Sequence, residues 1–541
     1  MTSAVRVAVN EANLVKNLKF AFSNFSTFLG ELIQNSRRAG ATKVDIVLVG
    51  KTLTVTDDGH GIENFQNLFT VAESGWNQQT QTLENPFGMG FTSALFACER
   101  LTVESCGQRL EAPTSTLLQL SDVQVVPGDF AAGTRLTLAN LSFDETRVEG
   151  ALKAIARGYP IPIIFNGTSL DRPEALDCAT FEQIPIGAVW IKDLSKVTLA
   201  RSNVRVFLQG LLVAGLPHCI APLVVIHLDS TLFNAKLPDR DCLIDELEKM
   251  AEIEKQVGQV IHASLAKKQR EMDVVAFVET YWDVACEFSP DLLRDHPAVP
   301  ARLLSELESL ACCSDTYVPY KYVPTRDAKP LLRDDFERGD HKVVLGSCYV
   351  DLECDLASAL KLAYVRAIGA SVVEKRLPAG HWLFSAPLLE DFDVQYEIVN
   401  PGVVAGSGSF QWDFDLQICD AIRINGVWGE VTIADDEIAV GNGEDDLHIC
   451  LYSPKDVVRP GVGVEQFEDF YSDDGFDDSW YDESLDKFRR LIMQARHSKP
   501  TDLLNDLLSD IYVDTASALS TSYILQVSDS GRLTVIEQLA G

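Results

Sequence analysis

The chain has 541 residues, 46% hydrophobic and 23% charged, a length too great for one ordinary core and suited to three or four domains of roughly 100 to 200 residues. No apolar run approaches the roughly 20 residues that cross a bilayer, and the start, MTSAVRVAVNEANLVKNL, lacks the pattern of a secretory signal, so the expectation is a cytoplasmic protein without a membrane partner. The net charge is −33, and residues 381–541 alone hold 31 Asp and Glu against 9 Lys and Arg, a balance that repels a phosphate backbone and excludes a nucleic-acid partner from the expectation.

Residues 25–39 read as an amphipathic helix that ends at Gly40, with Phe25, Phe28, Leu29, Leu32 and Ile33 on its apolar stripe. Glu31 and Asn35 stand four residues apart on a face beside that stripe. A strand through VDIVLV, a turn at Gly50 and Lys51, and a strand through LTVTD follow, the alternation of an α/β sandwich. After Gly133 and Thr134 come the strand RLTLANL, the helical GALKAIARGY and the segment PIPIIFNGTSL, which predicts a strand closed by an Asn-Gly turn at the start of a second α/β domain. Residues 186–228 are strand-rich, and 242–284 have helical periodicity that closes this domain.

From 285 to 455 the pattern is mixed α/β, with GSGSFQWDFDLQI, AIRINGVWGEVTIA and LHICLY as sheet segments. Residues 465–486 carry ten acidic residues, no basic ones and six aromatics, which suits either a solvated acidic linker or a docking segment whose aromatics bury against a basic partner or against the protein itself. The expected organisation is therefore a first domain over 1–148, a second over 149–284, a mixed region over 285–455, an acidic aromatic linker over 456–486 and an α+β segment over 487–541. The twelve cysteines contain no CxxC pair, and the adjacent Cys312 and Cys313 lack zinc-ligand spacing, so reduced structural thiols are expected.

The strand LTVT runs into DDGHGI, where Asp57 closes the strand and Gly59 and Gly61 permit tight turns and close approach of backbone to a ligand. Downstream, ENPFGMGFTSALFAC places Gly88, Met89, Gly90 and Phe91 ahead of an apolar helix that starts near Thr92, and a helix N-terminus with free amides suits phosphate. Each piece alone is also what an ordinary turn provides.

Together and in this order, ELIQNS, DDGHGI, FGMGF and the Gly-Thr at 133–134 resemble the GHKL ATPases: gyrase B, the ninety-kilodalton heat-shock chaperones, MutL and sensor histidine kinases. The resemblance covers about residues 10–145, more loosely to 270, and implies a fold of α/β (α+β) class: a Bergerat-type ATPase sandwich, then a domain of ribosomal S5 domain 2-like type, then the mixed α/β region. It implies ATP and Mg²⁺ as cofactors. Asn35 would bind the metal, Glu31 would orient and deprotonate the attacking water, and Asp57 would accept from the adenine amino group. Gly59 and Gly61 would let the base lie against the strand end. Residues 64–90 would form a lid, with the amides of Gly88 to Phe91 on the phosphates and Thr134 supporting the Asp57 end.

From Glu63 to Glu99 there is no Lys or Arg, so the lid brings no cation to the triphosphate. In the chaperones a middle-domain arginine reaches the γ-phosphate, and STLFNAKLPDRDCLID here offers Arg240 or Lys236 for that role. A histidine kinase would carry a phosphoacceptor helix ahead of the ATPase domain, the MutL lid sequence is absent, and the acidic C-terminal third does not suit DNA tracking. FGMGF is most similar to the chaperone branch. The expectation is a slow, chaperone-like ATPase acting on a client or partner protein and compatible with a homodimer; the alternative is a nucleotide-gated switch that recruits one partner in a defence or chromatin-like assembly.

Overall fold

The structure is a computed structural model that describes residues 25–70, 76, 90–141, 145–200, 202–215, 222–236, 240–307, 311–312, 322–324, 328–346, 356–374, 376–391, 393–400, 402–406, 414–434, 438–442, 448–452, 470–472, 475–496, 522–528 and 532–539, with isolated residues near the two ends. The chain divides into two compact units, one comprising residues 1–272 with 283–289 and the other 273–282 with 290–541.

In the first unit, helix α1 (Phe25–Arg38) buries Phe28, Leu29, Leu32 and Ile33, the stripe its spacing predicts. It ends in a Schellman motif: Gly40, at φ +75°, donates its amide to Arg37, and the Ala41 amide reaches back to Ser36. Strands β1 (Val44–Val49) and β2 (Thr52–Asp57) pair antiparallel, Val44 opposite Asp57. Val44, Ile46, Leu48, Leu53 and Val55 alternate into the core while Val47 and Val49 face outward, so one side of the sheet is covered and the other is not.

The lobe is completed by α2 (Gln66–Phe69), α3 (Thr92–Ala97), β3 (Arg100–Ser105), β4 (Gln108–Pro113), α4 (Thr114–Leu118), β5 (Val125–Pro127), β6 (Thr134–Ala139), α5 (Glu145–Ala156), β7 (Ile163–Phe165) and β8 (Thr168–Ser169). Its eight-stranded sheet runs β5-β4-β3-β6-β2-β1-β7-β8, with α1 packed on α3 and α5 above it. This moves the expected boundary at 148/149. That position falls inside α5, whose buried Val148, Leu152 and Ala156 belong to the first core, and IIF pairs parallel with β1 instead of opening a second sheet. A β-α-β return places the strand back beside β1 because α5 carries an apolar stripe that only the first sheet covers.

The second lobe of this unit holds β9 (Glu182–Ile184), β10 (Gly187–Ile191), β11 (Val204–Leu208), β12 (Leu211–Ala214) and β13 (Val224–Leu228) in the order β12-β11-β13-β10-β9. The helical stretch from 242 is two helices, α6 (Glu246–Glu271) and α7 (Val274–Phe288). Asp273 separates them, its Oδ1 accepting the amides of Val275 and Ala276 at 2.9 and 3.2 Å as an N-cap. The expected boundary at 284/285 therefore falls inside α7, which both units share.

The second unit centres on α8 (Leu356–Ala367), whose Leu360, Leu362, Tyr364 and Val365 are buried among Val344, Val372, Ile422, Ile424 and Ile433. AIRINGVWGEVTIA forms the hairpin Ala421–Gly426 with Gly429–Ile433, and LHICLY pairs parallel with Phe414–Ile418. The acidic segment is only partly a linker. From Asp478 it forms the first half of helix α9 (Asp478–Arg496), and Phe470 is buried with Phe476, Trp480 and Tyr481 around it at ring separations of 5.2 to 6.0 Å. These four aromatics have their partners in the chain itself; residues 465–469, 473 and 474 of the segment lie outside the described residues. No helix among the described residues is long and apolar enough to cross a membrane.

One titratable group in this unit has a consequence for stability. Burial, with His296 and Arg333 beside it, pushes the His381 imidazole down to about 4. Its Nδ1 accepts the Leu383 amide at 3.1 Å, so the ring is folded in its neutral form. Because the unfolded chain takes up a proton near pH 6.5 and the folded chain does not, this share of stability is complete above pH 6.5 and is lost as pH falls toward 4, about 3 kcal/mol in all. Urea titrations of the full chain at pH 7.5 and 4.5, read by tryptophan fluorescence, should show the drop, and His381→Asn, which keeps an acceptor for the Leu383 amide, should flatten the pH slope.

Candidate functional site

Helix α1, the end of β2 and the segment ahead of α3 enclose a cleft of about 510 Å³. Glu31, Asn35, Asp57, Gly61, Gly90, Phe91 and Thr134 line it, together with Ser36, Arg38, His60, Ile62, Glu63 and Trp76. Gly88 and Met89 lie outside the described residues, as does most of the expected lid.

Asp57 is held from two sides. Ser36 on α1 donates its hydroxyl to Oδ2 at 2.9 Å, and the Gly59 amide donates to Oδ1 at 3.0 Å. Asp57 stands opposite Thr134 on β6, and Thr134 stands opposite Ser105 on β3, so three adjacent strands bring these side chains to one level. Ser105 is the knot of this end: its hydroxyl donates to the Gly133 carbonyl at 2.7 Å and accepts the Ile62 amide at 2.8 Å. Glycine is required around it. At Gly61, φ +80°, a Cβ would lie 2.7 Å from Cys106 Sγ and 2.8 Å from Ser105 Oγ; at Gly133, φ +76°, it would lie 2.0 Å from the Asp57 carbonyl oxygen. Gly59 packs flat on Ala39, whose carbonyl accepts the His60 amide at 2.9 Å.

The neighbouring Asp58 points the other way and staples the α1–β1 connection, accepting from the Thr42 amide at 2.7 Å and from its hydroxyl, which holds the Asp58 carboxyl below the usual carboxylate range. On the outer wall, His60 donates from Nδ1 to the Gly61 carbonyl at 2.8 Å and meets the Trp76 ring edge-on at 6.1 Å.

The other end of the cleft belongs to Glu31, which is 7% exposed. Arg240, 9% exposed, donates from Nε to Glu31 Oε1 at 2.8 Å, while Gly90 lies against the opposite oxygen so closely that a Cβ there would be 2.0 Å from Oε2. Of the two cations the loop offers, Arg240 is thus the one brought to Glu31; Lys236 is exposed, and its amide and carbonyl instead clip the loop by bonding the Cys242 carbonyl and the Arg240 amide at 2.8 and 2.9 Å.

Asn35 is in the cleft. Arg38 Nη1 donates to Asn35 Oδ1 at 3.2 Å and Nη2 to Gln34 Oε1 at 3.1 Å, which occupies one of the two lone pairs of the Asn35 oxygen and leaves the other for a ligand. Sequence reasoning passed over Ser36, Arg38, His60, Trp76 and Ser105. Helical spacing signals Arg38, since positions 31, 35 and 38 share a face; Ser105 has no signal, because strand pairing alone brings it here.

A family model described as histidine kinase-, DNA gyrase B-, and HSP90-like ATPase matches residues 23–126 and supports the GHKL superfamily. Glu31, Asn35, Asp57, Gly59, Gly61, Gly90 and Phe91 fall within the match, and Thr134 and Arg240 beyond it. No curated protein matches the chain.

The glycine geometry can be tested directly. Gly50, at φ +59° with open space around its missing Cβ, isolates the cost of left-handed backbone, so Gly50→Ala should lose about 1 kcal/mol. Gly133→Ala adds the collision with the Asp57 carbonyl and should lose roughly 2 to 3 kcal/mol or more by thermal melting. Equal losses in the two variants would mean that the β6 start yields without disturbing Asp57.

Proposed function

We propose that the first unit binds ATP in this cleft and hydrolyses it slowly, and that hydrolysis is coupled to movement of the loop that carries Arg240. The buried contact between Arg240 and Glu31 carries the reading. It brings a carboxylate suited to activating water and a guanidinium suited to a γ-phosphate to the same end of a cleft whose other end presents a braced carboxylate for an exocyclic amine.

The chemistry follows from the arrangement. Before nucleotide enters, Arg240 occupies Oε1 of Glu31. A triphosphate entering from the Asp57 end presents an anion of higher charge, and Arg240 transfers to it. Glu31 then accepts a proton from water as the water oxygen attacks the γ-phosphorus and the β–γ bridging bond breaks, leaving ADP and phosphate. The Arg240 loop leads along the chain into α6, which starts at Glu246, so the transfer is passed to that helix.

A chaperone-like machine would use this motion to work on a client. The alternative is a switch that recruits one partner, with occupancy of the nucleotide site as the signal. A pull-down with ATP present distinguishes them, unfolded clients favouring the first and one stoichiometric partner the second.

Glu31→Gln should bind ATP within a few-fold of wild type while hydrolysis falls to background. Arg240→Ala should slow turnover by about 10²- to 10³-fold and leave ADP affinity unchanged, with exposed Lys236→Ala as a silent control. Faster turnover in Arg240→Ala would show that the arginine only restrains Glu31 and never reaches the phosphate.

A further inference from the structure

The apolar stripe of α6 runs further toward its N-terminus than the sheet that covers it. We propose that the hollow left there, about 350 Å³ between the start of α6 and the β9–β13 sheet, docks a segment of a partner protein that offers an apolar side chain flanked by lysine or arginine. The hollow shares no described lining residue with the nucleotide cleft, so its occupant does not depend on what that cleft binds.

Both walls follow from the sequence. On α6, Ile253 and Val257 are buried, Met250 one turn nearer the N-terminus is half-buried, and Leu247, the next residue back along the stripe, is 91% exposed. On the sheet side, Val206 and Ile226 are buried and form an apolar floor. Strand β12 then ends in Ala214 and Gly215, whose small size leaves open the space that a larger side chain would close. Gly215 lies at φ +107°, and a Cβ there would stand 2.3 Å from the Val204 carbonyl oxygen, so the backbone itself keeps that position bare. An exposed leucine alone is ordinary, but at the mouth of a hollow with buried apolar walls it is a rim for an apolar anchor.

The charge at the mouth selects the partner. Glu246 and Glu254 are among the described lining residues, and no Lys or Arg is. The helix dipole accounts for an acid at Glu246, in the first turn, but not for Glu254, two turns further on. Two carboxylates beside an apolar hollow match an apolar side chain with cations next to it, and a chain of net charge −33 draws such a partner in at long range. A second copy of the chain brings the same negative charge and is repelled.

Methionine methyl NMR of the full chain reads the hollow directly, because the chain has five methionines and Met250 lines the site. With the Met250 signal assigned by Met250→Leu, a short amphipathic Leu/Lys peptide should shift that signal saturably, while its Leu/Glu and Ser/Lys counterparts should not. Leu247→Ser, at an exposed position outside the core, should weaken the Leu/Lys peptide about tenfold. Glu246→Gln combined with Glu254→Gln should weaken it at low salt and flatten its salt dependence. Shifts spread over methionines outside the hollow and untouched by Leu247→Ser would overturn the proposal, since overall charge alone would then hold the peptide. Equal binding of the Leu/Glu peptide would also overturn it, by removing the preference for a basic partner. A Met250 signal that moves with protein concentration in the absence of peptide would assign the hollow to a second copy and overturn it in the same way.

Discussion

A guanidinium and a carboxylate buried against each other, Arg240 on Glu31, set the state of the cleft. Such a pair adds little net stability, because burial removes both charges from water, yet removing one partner leaves the other stranded at a cost of about 3 to 5 kcal/mol. The contact is held from both sides. Arg240 sits at φ +53°, an unfavourable backbone for a residue with a side chain, in a loop clipped by the bridge between Ala235 and Leu243 and by the Lys236 amide on the Cys242 carbonyl. Glu31 sits on a helix whose preceding residue, Gly30, faces Leu211 of β12 at 3.7 Å from where a Cβ would stand. The pair positions both groups while adding little net stability.

The two lobes that supply these partners are joined by a second buried carboxylate. Glu174 is wholly buried, with Arg157 at 2.7 Å, Arg205 bonded to the same oxygen and Lys192 at 3.9 Å. Its carbonyl accepts from His227, whose imidazole burial pushes down, and His227 stacks on Phe207 at 5.0 Å. Phe207 closes on Gly158, where a Cβ would be 2.4 Å from its ring, and the next residue, Tyr159, donates its hydroxyl to the Ile33 carbonyl on α1 at 2.9 Å. This continuous chain of packed groups fixes α1 to the second sheet.

The parts of the fold readable in the sequence are those whose signal is local. The α1 stripe, the β1–β2 hairpin and the Gly-Thr entry to β6 each lie within one periodic stretch or turn, and the candidate residues of DDGHGI are brought together with those of ELIQNS because Ser36 and Ala39 bind the strand end directly. What local pattern cannot report is pairing at a distance. IIF reads as a strand in any sheet, and only the burial of Val148, Leu152 and Ala156 on the first core decides that it joins β1. The acidic run from 465 reads as solvated by composition, yet Trp480 and Tyr481 pack around Phe470, and Ser484 and Phe488 are buried along α9, so a helical periodicity of aromatics lies beneath the charges.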